Sequence, residues 1–113
     1  MDILSLKYFM LDERGLTTPN DFNIYNTIEL TVRNARGKKV WIEFKYVNDD
    51  TNRALKAVNS SYQATNGAAG SVISFIPDSD NYHYKDYAQI PMGALGLGNG
   101  SWNIMVMPFV YVG

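Results

Sequence analysis

Hydrophobic and polar residues alternate with a period of two over residues 24–47. The first run places three aliphatic residues on one side of an extended chain: Ile28, Leu30 and Val32. After a turn that contains Gly37, the second run places four large apolar residues on one side: Val40, Ile42, Phe44 and Tyr46. Two alternating runs joined by a short glycine-containing turn are typical of a β-hairpin. We therefore predict a hairpin over residues 24–47, with these apolar residues facing the core.

Further runs of the same kind lie between turns that are rich in Gly, Pro, Asn and Asp. We predict strands at residues 3–11, 71–76, 82–90 and 102–112, an edge strand or helical turn at 53–58, and a short strand around Tyr62. No amphipathic segment of helix length interrupts these runs, and many short strands separated by turns favour an antiparallel sandwich. The sequence predicts a single all-β domain over residues 1–113. It is an antiparallel β-sandwich of about seven to eight strands, immunoglobulin-like or jelly-roll-like.

The last predicted strand is apolar on both of its faces. One face carries Trp102, Ile104, Val106, Val110 and Val112, and the other carries Met105, Met107, Phe109 and Tyr111. A strand of this kind must be covered twice, once by the core and once by something else. The second cover is either the N-terminal strand of the same chain or another subunit. The apolar glycine-rich loop at 91–100 is a further candidate contact surface through Leu95 and Leu97.

Charge and composition exclude several classes of partner. Ten Lys or Arg residues balance eleven Asp or Glu residues, so the chain lacks the strongly basic face that nucleic acids or anionic membranes select. There is no cysteine, which excludes disulfides and thiolate metal sites. No segment resembles a signal peptide or approaches the roughly 20 apolar residues of a membrane span. We expect a cytoplasmic protein by default, while a place in an extracellular or virion assembly stays open.

Candidate chemistry is sparse, and we expect no enzymatic activity. His83 is the only histidine, and no Gly-x-Ser-x-Gly motif accompanies it. Calcium is the one cofactor that the sequence suggests, through four carboxylates in two polar loops: Asp49, Asp50, Asp78 and Asp80. If the strands alternate up and down, these loops meet at one end of the sandwich, where a hard cation would find oxygen ligands. The alternative is that these residues are solvated turn formers.

Aromatic side chains offer a second kind of candidate site. Trp41 falls on the outward side of the predicted hairpin, and Tyr25 is expected on the same side. Exposed rings of this kind stack on sugars, so the pair is a candidate carbohydrate site. The alternative is that these rings pack beneath the N-terminal segment or against a partner protein.

Several segments resemble a small β-sandwich accessory domain of bacterial multidomain proteins, which often lies beside helical repeats. The shared segments are ARGKK, VWIEFKYV, SSYQATNG, SFIPDSDNYHYKDYAQIPMGAL and GNGSWNIMVM, within residues 24–110. They consist of turn and core residues. The resemblance implies a sandwich architecture in an accessory module with no assigned catalytic residues. We also expect a bacterial or phage source.

These observations lead to two functional hypotheses. The first is a non-catalytic structural or assembly subunit that self-associates through edge strands and the apolar face of the last strand. The second is a ligand-binding accessory module for a carbohydrate or a partner protein. Neither hypothesis involves nucleic acid or a membrane.

Overall fold

The computed structural model describes residues 1–8, 12–18, 23–97 and 100–113. Within these residues the chain forms eight strands and three short 3-10 helices. The strands are β1 (Asp2–Tyr8), β2 (Asp12–Thr18), β3 (Asn23–Arg33), β4 (Val40–Asn48), β5 (Arg53–Ala54), β6 (Gly70–Phe75), β7 (Asn81–Pro91) and β8 (Gly100–Val112). The 3-10 helices span Ser60–Tyr62, Thr65–Gly67 and Met92–Leu95. Tyr62 therefore lies in a 3-10 helix, and the strand predicted around it is wrong.

The strands form two antiparallel sheets. Sheet A has the order β1-β3-β7. Sheet B has the order β2-β8-β4, with β5 and β6 both paired to the far side of β4. The predicted all-β, antiparallel sandwich is thereby confirmed.

The predicted hairpin over residues 24–47 is wrong, because β3 lies in sheet A and β4 lies in sheet B. The connection between them crosses the sandwich and buries Ala35 between the sheets. Asn34 and Gly37 have positive φ values of 63° and 73°. Their N–H groups donate hydrogen bonds of 3.0 and 2.9 Å to the carbonyls of Asp80 and Pro77 in the connection between β6 and β7. Two crossing connections therefore support each other at this end of the molecule.

The core lies between the inner faces of the two sheets. The residues predicted to face inward on β3 and β4 are buried: Ile28, Leu30, Val32, Val40, Ile42, Phe44 and Tyr46. Two of the core side chains form a polar link between the sheets, since Asn26 of β3 donates a hydrogen bond to the hydroxyl oxygen of Tyr46 on β4. Burial raises the pKa of the Tyr46 phenol to about 12.

The two long sides of the sandwich differ. At one side, Phe75 of β6 stacks on Tyr84 of β7 with 4.0 Å between ring centroids, and on Tyr82 with 5.6 Å. These rings join the edge of sheet B to the edge of sheet A. Burial and the neighbouring Asp86, which accepts a hydrogen bond from the Tyr84 hydroxyl, raise the pKa of Tyr84.

At the other side, β1 extends sheet A past the core. Its partners across the ladder show that Ile3, Leu6 and Tyr8 share the inner face with Val32, Leu30 and Ile28. Nevertheless these three side chains are 44%, 38% and 42% exposed. Within the described residues, the side of the sandwich formed by β1 is therefore left open.

Candidate functional site

The outer face of sheet B carries an unusual concentration of apolar side chains. The ladder between β4 and β8 sets Tyr111 opposite Trp41, Phe109 opposite Glu43, Met107 opposite Lys45 and Met105 opposite Val47. Val72 of β6 lies opposite Glu43 on the other side of β4. Residues directly opposite each other share a face. We call the following six residues the outer apolar face: Trp41, Val72, Met105, Met107, Phe109 and Tyr111.

Contacts within the outer apolar face hold its side chains in place. The rings of Trp41 and Tyr111 stack with 5.4 Å between centroids and 20° between planes. Lys45 places its Nζ atom 4.7 Å from the centroid of the Phe109 ring. Met107 and Phe109 are nevertheless 39% and 37% exposed. The face is thus ordered by its own contacts and still presents apolar surface to solvent.

One acidic side chain lies within this face. Glu43 is only 8% exposed, and its carboxylate accepts hydrogen bonds from Thr65 N (3.0 Å), Thr65 Oγ1 (2.8 Å) and Trp41 Nε1 (3.3 Å). Lys45 Nζ lies 3.8 Å away. Burial of Glu43 by itself raises its pKa, but the bonds from Thr65 and Trp41 and the charge of Lys45 outweigh burial and hold the pKa below its ordinary value. Glu43 is therefore charged and fixes both Trp41 and the segment around Thr65.

The second exposed apolar surface is the strand β1. Four of its seven residues are large, exposed hydrophobic side chains: Ile3, Leu4, Leu6 and Tyr8. Among the described elements, β3 is the only one that β1 contacts extensively. One end of β1 is fixed, since Asp2 accepts hydrogen bonds from Arg33 at 3.4 Å and Asn34 at 3.1 Å.

The described N-terminal strands do not cover the outer apolar face. β1 belongs to sheet A, and β2 pairs edge to edge with residues 100–105 of β8 in the plane of sheet B. We predicted that either the chain's own N-terminal strand or another subunit covers the second face of the last strand. The described N-terminal strands do not cover it. The two faces predicted for residues 102–112 are confirmed, because Ile104 and Val106 are buried while Met107 and Phe109 lie outside.

The predicted contact role of the 91–100 loop is not supported by its burial. Leu95 lies in the 3-10 helix Met92–Leu95 and is 1% exposed within the hydrophobic core. Leu97 is partly buried and packs against the same core. Leu95 as an interface residue is therefore wrong, because this segment caps the core instead of projecting from it. Gly98 and Asn99 lie outside the described residues.

Trp41 and Tyr25 do not share a face, so the carbohydrate site predicted from this pair is wrong. Trp41 lies on the outer face of sheet B, whereas Tyr25 lies on the outer face of sheet A, opposite Gln89. The crossing of the chain between β3 and β4 separates them. Tyr25 instead neighbours Tyr87, with 6.2 Å between ring centroids, and both rings are more than half exposed. Tyr87 also lines a cavity of about 350 Å³ together with Asp86 and Gln89.

The four carboxylates of the predicted calcium site lie at opposite ends of the molecule. Asp49 and Asp50 follow the end of β4, where Asn103 donates hydrogen bonds of 3.0 and 3.2 Å to Asp50. Asp78 and Asp80 follow the end of β6, which runs antiparallel to β4. The prediction that these carboxylates meet is wrong. Residues 55–69 contain no long strand, so β6 runs in the direction opposite to the one that the prediction requires. The described part of the chain holds no group of three or more acidic or histidine side chains able to bind a metal ion.

His83 lies on the outer face of sheet A between two polar side chains. Its Nδ1 atom is 3.1 Å from Thr31 Oγ1, and its Nε2 atom is 3.0 Å from Glu29 Oε1. The order resembles a nucleophile, base and acid, but the group lies on an open, flat strand surface. In β3 the backbone around Thr31 is paired on both sides, with β1 and with β7, so its N–H groups are not available to an oxyanion. The trio is a surface hydrogen-bond network.

Comparisons of this chain with protein families, with curated proteins and with solved structures give no match. The resemblance to a bacterial accessory domain therefore stays a prediction. The described residues include no helix of the length and apolar character that crossing a membrane requires.

Proposed function

We propose that this protein is a non-catalytic structural subunit that self-associates, with the outer apolar face as one contact surface. The observation that carries the proposal is the exposure of Met107 and Phe109 on a strand whose opposite face is already core. Apolar groups exposed together on an ordered face are the usual mark of a protein contact. Aromatic residues and methionine, which dominate this face, are enriched at such contacts.

The charges around the outer apolar face are compatible with its burial against a second copy of this chain. Glu43 and Lys45 neutralise each other within the face, and the Lys45 side chain lies over the Phe109 ring. Burying the face against a second copy would therefore leave neither charge without a partner. The small net charge of the whole chain, −1, also allows two copies to approach without strong repulsion.

Sedimentation velocity over a hundredfold range of protein concentration tests this proposal. We expect the wild-type protein to pass from monomer to a larger species, and Met107→Glu to weaken that association by about tenfold or more, because the new carboxylate would lose its water beside Lys45, whose charge Glu43 already balances. Thr27→Glu is the matched control. Thr27 is exposed on the outer face of sheet A, so the same new charge is expected to leave the association unchanged.

Two results would contradict the proposal. One is a wild-type monomer at every concentration. The other is an equal loss of association in Met107→Glu and Thr27→Glu, which would point to a general effect of charge. Circular dichroism of both variants confirms that the sheets are retained.

A second candidate function, binding of a carbohydrate, is favoured by the tyrosine pair on sheet A. Tyr25 and Tyr87 are exposed side by side, and Tyr87 borders the cavity that Asp86 and Gln89 also line. Aromatic rings offer stacking surfaces to sugar rings, while carboxylate and amide groups bond to hydroxyls. The cavity is also lined by Val72 of the outer apolar face, but the tyrosine pair itself lies on the outer face of sheet A.

A glycan array followed by titration calorimetry tests the carbohydrate hypothesis. We expect a bound saccharide whose affinity falls about tenfold or more in Tyr87→Ala, since one stacking ring is lost. His83→Ala, on the same face but away from the cavity, should retain binding. If the protein binds no glycan on the array, the carbohydrate hypothesis is wrong, and the proposal of self-association is not affected.

A further inference from the structure

The strand β1 presents a free edge. It pairs with β3 along one side, and the described residues place no strand along its other side. The unpaired N–H and C=O groups of such an edge can bond to a further strand. Natural proteins usually protect long apolar edges, yet four of the seven residues of β1 are exposed hydrophobic side chains. An edge of this composition is suited to a partner strand.

We propose that β1 pairs in an antiparallel manner with β1 of a second copy of this chain. The pairing joins two three-stranded sheets into one sheet of six strands across a two-fold axis. This inference rests on the proposed self-association and names a second contact surface, distinct from the outer apolar face. A two-fold axis uses each edge once, so the contact closes and does not propagate into a fibre.

The register follows from an irregularity in β1. The ladder with β3 shifts between Ile3 and Ser5, so Leu4 is an extra residue that has no partner in the ladder. As a result, the residues of β1 before and after Leu4 divide into an inner set and an outer set, according to the face of sheet A on which they lie. Those paired with inner residues of β3 are Ile3, Leu6 and Tyr8, and those paired with outer residues are Asp2, Ser5 and Lys7.

A two-fold axis that passes between Leu4 and Ser5 sets inner residues of one copy opposite inner residues of the other, and outer residues opposite outer residues. It places Asp2 opposite the partner's Lys7, so that opposite charges meet on the outer face. It places Ile3 opposite the partner's Leu6, so that apolar groups meet on the inner face. Opposite charges and aliphatic groups are favourable cross-strand neighbours.

Registers shifted by one residue do not pair inner residues with inner residues and outer residues with outer residues. A shift by one residue sets Asp2 opposite either the partner's Leu6 or the partner's Tyr8, which brings an outer residue against an inner one. In the proposed register, the charges also extend existing contacts. Arg33 lies 3.4 Å from Asp2, and Glu29 lies opposite Lys7 in the ladder.

A single cysteine near the axis tests the pairing, because the chain has no cysteine of its own. In the proposed register the two Ser5 Cα atoms lie about 6 Å apart, given a strand separation of about 4.8 Å and a rise of about 3.4 Å per residue. That separation suits a disulfide. We expect Ser5→Cys to form a disulfide-linked dimer in a glutathione redox buffer. Thr27→Cys, exposed on the neighbouring strand, should stay largely unlinked.

A mixture of two variants tests the register itself. Asp2 and the partner's Asp2 lie about 18 Å apart in this arrangement, so neither Asp2→Cys nor Lys7→Cys should link to itself. An equimolar mixture should give the mixed disulfide, which mass spectrometry identifies. The exposed positions of both residues make loss of the fold an unexpected result, and circular dichroism checks it.

The outcomes separate this inference from the proposed function. Linking of Ser5→Cys and of the mixture, but of no other sample, supports β1 pairing. If sedimentation shows a dimer while Ser5→Cys links no better than Thr27→Cys, β1 pairing is overturned and self-association stands. A monomer at every concentration overturns both.

Discussion

Glu43 illustrates how a single residue organises a surface that is otherwise apolar. Its carboxylate receives two hydrogen bonds from Thr65, which lies 22 residues later in the chain, and one from Trp41 on its own strand. These bonds hold the 3-10 segment at Thr65–Gly67 against Glu43, beside the outer apolar face. Loss of the charge would therefore release both a loop and an aromatic ring.

We predict that Glu43 makes the stability of this protein depend on pH in the acid range. Because its pKa in the folded state is lower than in the unfolded chain, the unfolded chain binds more protons between the two values. The stabilisation is complete above the ordinary value of 4.5 and is lost as the pH falls through the lower folded pKa. Urea denaturation between pH 3 and pH 7 should show Glu43→Gln less stable by about 1–2 kcal/mol at pH 7. The difference should shrink at pH 3.

Glu29→Gln is the control for this effect, since Glu29 is 41% exposed and contacts only surface groups in the ladder of sheet A. A surface pair of this kind contributes little. If the two variants lost equal stability at pH 7, or if the difference for Glu43 persisted at pH 3, the account of Glu43 would be wrong.

The period-two alternation correctly predicted which residues of β3 and β4 face the core. Ile28, Leu30 and Val32 face the core because a one-residue slip would expose all of them together. The burial of Glu43 was not predictable in this way. Its partner, Thr65, comes from an irregular segment whose path depends on tertiary contacts and not on a local pattern.

At the scale of elements, the strands were predictable but their partners were not. An alternating run states which residues share a face, and says nothing about which neighbouring strand completes the ladder. The alternation around residues 34–39 predicts a hairpin turn there, although the same pattern is compatible with a crossing between the two sheets. The burial of Ala35 and the bonds to the 77–80 connection decide for the crossing.

The bulge in β1 shows the same limit within one strand. Strict alternation in the sequence places Leu4, Leu6 and Tyr8 on one side and Ile3 on the other, which predicts a strand with apolar residues on both faces. The shift in the ladder at Leu4 brings Ile3 onto the side of Leu6 and Tyr8. A single extra residue inverts the pattern before it, and the pattern alone does not reveal where such a residue lies.

An error in strand direction also explains the failure of the predicted metal site. Placing Asp49 and Asp78 at one end required an extra full strand between β4 and β6. The chain instead forms β5, which has only two residues, and two 3-10 turns before β6 begins. Short irregular segments carry weak sequence patterns, so the direction of the next strand could not be counted reliably.

At the scale of the whole molecule, the described residues close the sandwich on one long side and leave it open on the other. Phe75, Tyr82 and Tyr84 seal the side where β6 meets β7. On the side of β1, apolar residues of the inner face remain exposed, and β8 has no described partner beyond Met105 on the side away from β4. Both exposed apolar surfaces, β1 and the outer apolar face, thus involve elements next to the open side.

This asymmetry predicts that two tyrosines on the inner face of sheet A contribute very differently to stability. Tyr84 and Tyr8 flank β3 on its two sides, opposite Leu30 and Ile28 respectively. Tyr84→Ala removes the ring stacked on Phe75 and should lower the free energy of unfolding by about 2–4 kcal/mol, as for other large-to-small changes in packed sites. Tyr8→Ala removes a half-exposed ring and should cost less than about 1 kcal/mol.

Urea denaturation at a protein concentration where sedimentation shows only monomer measures both changes without a contribution from association. Repeating it at high concentration then adds a second comparison, because β1 is buried only if two copies pair. Under those conditions the cost of Tyr8→Ala should rise, while the cost of Tyr84→Ala should not, since the stack on Phe75 is internal to one chain. Equal costs for the two variants in the monomer would show that the side of β1 is closed in solution. The structural reason for a partner at that edge would then be lost.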